Sequence, residues 1–111
     1  MQRFAAALAA VLVCAAPSAH ALPFIFATGL SGAAEAPPVE SPGTGASVAV
    51  IDTDTHLLQV VIEFENLVGL TVAAHIHCCT GIANDGLAIP ATAVPTLPDF
   101  PLGLSGGLYA N

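Results

Sequence analysis

The sequence predicts an all-β domain, a small antiparallel β-sandwich, and three observations predict it. Apolar residues recur at every second position in two stretches, 57–64 and 71–80. Turn-forming residues punctuate the chain at Pro37, Pro38, Pro42, Gly43 and Gly45, at 53–55, and at Asn84-Asp85-Gly86. No amphipathic helical pattern occurs after residue 21. A chain of 111 residues holds one domain of this kind.

Residues 1–21 stand apart. Arg3 supplies a positive charge, residues 4–16 form an apolar run, and Ala19-His20-Ala21 is a cleavage pattern of small residues around a variable one. The run falls short of the ~20 residues that span a bilayer. Val13 is bulky where a lipid-anchoring signal wants a small residue before its cysteine, which argues against Cys14 as an anchor. The segment reads as an export signal cut after Ala21, so the mature chain is expected outside the cytoplasm, periplasmic or extracellular, with no membrane span. Residues 22–28 then form a lead-in strand and 29–111 the sandwich.

Export changes the charge balance. Arg3 is the chain's only basic residue, while all eight carboxylates (Glu35, Glu40, Asp52, Asp54, Glu63, Glu65, Asp85, Asp99) stay in the mature part. An acidic surface without a cation repels nucleic acid and anionic lipid, so neither is an expected partner. The compartment is oxidising, which bears on Cys78 and Cys79.

Each element follows in order. Residues 22–32, LPFIFATGLSG, begin with a β-rich apolar run and read as a first strand. The prolines of 33–45 exclude helix and make an ordered extended loop, with Glu35 a solvated carboxylate before Pro37 and Pro38. Residues 46–52 and 57–64 form an antiparallel hairpin. In its second arm Leu58, Val60, Ile62 and Phe64 share one face and Leu57, Gln59, Val61 and Glu63 the other. Thr53, Asp54 and Thr55 suit the turn, because short polar side chains bond back to local backbone. The same chemistry explains Asp52 and Asp54 better than calcium does, since a single pair lacks the further oxygens that calcium takes. Glu63 and Glu65 read as an outward strand face.

The 71–80 stretch, TVAAHIHCCT, carries the most chemistry. Read as a strand, it puts Val72, Ala74 and Ile76 on one side and His75 and His77 together on the other. The histidine Cα atoms then lie roughly 7 Å apart at ~3.3 Å of rise per residue, a spacing a metal can use. Pro90 demotes 87–94 to an edge strand or bulge, Pro95, Pro98 and Pro101 impose an irregular run, and 102–111 resumes as a strand.

The residues LSGAAEAPPV at 30–39, the hairpin after them, and AHIHCC at 74–79 together resemble the chordin-type (CHRD) domain, over about 28–111. Ala34 and Ala36 depart from the family's larger residues, and only some members carry the cysteine pair. The family's domain usually runs further, through a closing strand, so the chain is expected to be a fragment of an exported bacterial member, with an open sheet edge through which it self-associates. The resemblance implies a β-sandwich of the immunoglobulin or superoxide-dismutase type, with a binding or structural role and no defined reaction.

Function follows two lines. The first is a non-catalytic exported module with a protein or glycan partner. The second is a copper- or zinc-binding protein, with redox chemistry open to it, centred on His75 and His77 and drawing a third ligand from a cysteine. A dismutase-type site is disfavoured, because His56, His75 and His77 alone remain after cleavage and no cation draws in the anion. No catalytic residue is assigned: Ser31, Ser41, Ser47 and Ser105 sit in ordinary turn or strand contexts without a nucleophile elbow. Cys78 and Cys79 either close a vicinal disulfide or pair with other cysteines.

Overall fold

The computed structural model describes residues 20–82 and 86–111. The export signal, on residues up to 21, falls almost wholly outside them, as do Asn84 and Asp85 of the predicted turn. Four strands form among the described residues: β1 (Phe24–Ser31), β2 (Thr44–Asp52), β3 (Leu57–Glu65) and β4 (Gly107–Ala110). They make one antiparallel sheet in the order β1-β2-β3-β4. The fold is all-β, and among the described residues a single short 3-10 turn at Gly32–Ala34 interrupts the proline-rich loop.

The β2–β3 hairpin is the regular heart of the sheet. Its ladder runs unbroken from Thr44↔Glu65 to Asp52↔Leu57. At its turn the Asp52 carboxylate accepts the N–H groups of Asp54 at 2.9 Å and Thr55 at 3.1 Å. Bonds from Thr55, backbone first and then hydroxyl, and from Asp54 favour the charged form and hold the Asp52 pKa below its ordinary value.

Strand alternation then sets the core. Val60, Ile62 and Phe64 of β3 face the same way as Tyr109 of β4, which stands opposite Ile62. Val60, Phe64 and Tyr109 are buried with Leu97 and Phe100, which come from irregular chain laid over this face. Each such side chain contributes about 1.5–3 kcal/mol on leaving water. The Phe100 ring stacks on Phe64 at 5.7 Å and tilts against Tyr109 at 5.2 Å between centroids. The Tyr109 hydroxyl donates to the Pro98 carbonyl at 2.9 Å, so the aromatic body is buried and its polar tip paired. Phe64 stands in a row between Gly45 and Gly107. A Cβ on Gly107 would meet the Phe64 ring at 3.3 Å, a tight approach that the missing side chain avoids.

Two expected strands do not form. Residues 71–80 are not a strand of the sheet: they form an extended arm whose one bridge is His77↔Pro90. The reason lies in the opposing segment. Between Ile76 and Ala74 the arm advances by two residues, while its backbone donors jump from Ala91 to Leu97. The surplus residues bulge, and Pro90 and Pro95 have no N–H to offer a ladder. Residues 87–94 accordingly form no strand. The all-β expectation holds; the layer over the sheet is this irregular chain, and the described residues form one sheet.

Candidate functional site

Threonine hydroxyls take the place of the missing backbone partners along the arm. Thr96 Oγ1 accepts the Ala74 N–H at 3.1 Å and Thr92 Oγ1 accepts the Ile76 N–H at 2.9 Å. The Ala74 and Ile76 carbonyls accept from Leu97 at 2.6 Å and Ala91 at 2.8 Å, and Cys78 N–H donates to the Ile89 carbonyl at 3.3 Å. Upstream, the Thr71 hydroxyl donates to the Pro101 carbonyl and accepts from Leu104 N–H. The arm's backbone is thereby fixed at Thr71, Ala74, Ile76 and Cys78.

This spacing decides what each side chain does. Ala74 and Ile76 pack against the buried cluster, whereas Val72, predicted to join them, is 80% exposed. His75 and His77 share the other side, with ring centroids 4.7 Å apart and planes inclined by 44°. Each has Nδ1 against a backbone carbonyl: His75 against Pro95 at 3.3 Å and His77 against Ala88 at 2.6 Å. A carbonyl only accepts, so each Nδ1 is the donor, and Nε2 carries the lone pair of the neutral ring.

The two cysteines behave differently. Cys78 and Cys79 are exposed, with their sulfurs against one another across a cis peptide bond. The cysteine expected as a third ligand is not brought to the imidazoles: among the described residues no group of three His, Cys, Asp or Glu side chains is placed to share an ion. His56 sits at the β2–β3 turn with φ of 58°, away from the arm in the chain. Glu63 and Glu65 are exposed, on the face opposite Val60 and Phe64 as alternation requires.

A second feature escaped sequence reasoning. The arm covers the β3–β4 half of the sheet and leaves the β1–β2 half open. Between them lies a groove of about 1080 Å³, with Phe26 and Leu30 of β1, Ala49 of β2 and Ile62 on its apolar side. Glu35, Ser47 and His75 supply polar groups at its walls. Its existence depends on how far the irregular chain reaches across the sheet, for which no local pattern stands.

An antiparallel sheet, a proline-rich loop after its first strand and a histidine arm define a β-domain with an open groove on one face. The family model of the CHRD domain matches residues 26–111, and the chain belongs to that family. Searches of curated proteins and of solved structures find no match. Among the described residues no helix is long and apolar enough to cross a membrane.

Proposed function

We propose that this CHRD-domain protein is exported and acts outside the cytoplasm as a non-catalytic binding or structural module. The observation that carries this reading is the open groove over β1 and β2, apolar on one side and bordered by hydroxyls, a carboxylate and an imidazole. CHRD domains are generally found in secreted proteins, which supports the compartment. The test is an array of glycans and extended peptides probed with the purified chain, alongside Ser47→Trp, which fills the groove. Saturable binding that weakens in the variant supports the module; turnover of the bound ligand, or binding indifferent to Ser47→Trp, contradicts it.

The same reading includes self-association through β1. This strand is an edge of the sheet, eight residues long, with no charged residue and every position exposed. Natural edges are normally guarded by charge, proline or a bulge. Sedimentation of the purified chain is expected to show a concentration-dependent dimer that Ala27→Lys abolishes, and a monomer at every concentration would refute it.

A second reading is copper or zinc binding at His75 and His77, favoured by the shared side and paired Nδ1 contacts of the two rings. Calorimetry with either ion should give heat that the His75→Ala/His77→Ala double variant loses; no heat in the intact chain removes the reading. Cys78 and Cys79 we take as a vicinal disulfide in the oxidising compartment, which alkylation without reductant should leave unlabelled.

A further inference from the structure

We infer that His75 and His77 present their two Nε2 atoms as a preset two-nitrogen site that selects copper over zinc; this rests on the metal-binding reading above. Histidines that ligate metals through one nitrogen characteristically donate the other N–H to a carbonyl or carboxylate, which fixes the tautomer and aims the ring. Here both Nδ1 atoms meet carbonyls, of Pro95 and Ala88. Those carbonyls lie on the segment that the arm already holds through Leu97, Ala91 and Ile89. Ring orientation is therefore set by the backbone bonds that fix the arm, before any ion arrives.

The separation agrees. Two imidazole nitrogens sharing an ion at ~2.0–2.1 Å each stand at most about 4 Å apart. With centroids 4.7 Å apart, an ion lying on the outward axes of both rings would be held in a bent arrangement, the two nitrogens subtending roughly 100° at it.

The donor count decides the metal. Structural zinc takes four protein ligands and catalytic zinc three. Among the described residues no third His, Cys, Asp or Glu joins the pair. Copper stands above zinc in intrinsic affinity for nitrogen donors. A bound cupric ion keeps its other positions for water or an exogenous ligand. The formal net charge of −7 raises the local concentration of any cation.

The test combines tautomer and selectivity in the intact purified chain. Nitrogen-15 spectra of the metal-free protein should show His75 and His77 as Nδ1–H tautomers with unprotonated Nε2. Competition titrations with copper(I), copper(II) and zinc(II) should give one copper per chain, held at least about tenfold more tightly than zinc. His75→Ala and His77→Ala should each lose that preference while keeping the amide spectrum of the fold. Copper binding with Nε2–H tautomers, or zinc bound as tightly as copper, overturns this inference and leaves the broader metal reading standing. No binding of either metal overturns both.

Discussion

The β2–β3 hairpin and the 71–80 arm hold extended backbone in two different ways. In the hairpin every residue from Thr44 to Asp52 has a partner in register on β3, and β2 is flanked on both sides. In the arm alternate amides reach threonine hydroxyls, because the opposing segment bulges between Ala91 and Leu97. A ladder spreads its stability over many equivalent bonds. A clasp of this kind concentrates it in a few atoms, each at one position of the sequence. The clasped region carries the histidines, so their geometry depends on single side chains that the regular sheet does not need.

The largest blow to the comparison should come where the two regions join. Phe100 is 8% exposed between Phe64 and Tyr109, and Phe100→Ala should cost about 3–5 kcal/mol in denaturant unfolding. Next, Thr92→Val keeps the shape but leaves the Ile76 N–H without its acceptor, for about 1–3 kcal/mol. Amide exchange should place that loss in the arm, sharpening the contrast with the hairpin. Tyr109→Phe removes only the hydroxyl bonded to Pro98 and should cost about 0.5–1.5 kcal/mol by the same unfolding measurement.

The smallest effect belongs to the hairpin turn. The Asp52 carboxylate has its pKa lowered in the folded chain, so its stabilisation is present above the unfolded value. It is lost as pH falls from about 3.9 through the folded value. Asp52→Asn should flatten the acid limb of the stability curve in that window, with the arm's amide spectrum unchanged.

How much of this was legible follows from range. Alternation from Leu57 to Phe64 announced β3 and its buried face, because strand period is a local property. The 102–111 run announced β4, although nothing local identified β3 as its partner. The arm shows the limit. Alternation through Ala74, His75, Ile76 and His77 correctly put the histidines on one side. It could not show whether the opposing chain had donors to complete a ladder. Pro90 and Pro95 carried that warning, while Thr92 and Thr96 carried the remedy, and both lie 14 to 22 residues away. The carbonyls of Ala88 and Pro95 are invisible to any pattern of side chains.

Amide hydrogen exchange of the intact chain and of Thr92→Val/Thr96→Val tests the central claim most directly. In the parent protein the Ala74 and Ile76 amides should be protected, because Thr96 and Thr92 accept them. In the double variant both should exchange rapidly, while the Val48 and Ala49 amides of β2 keep their protection. Unprotected Ala74 and Ile76 amides in the parent, or equal loss across β2, would contradict the account.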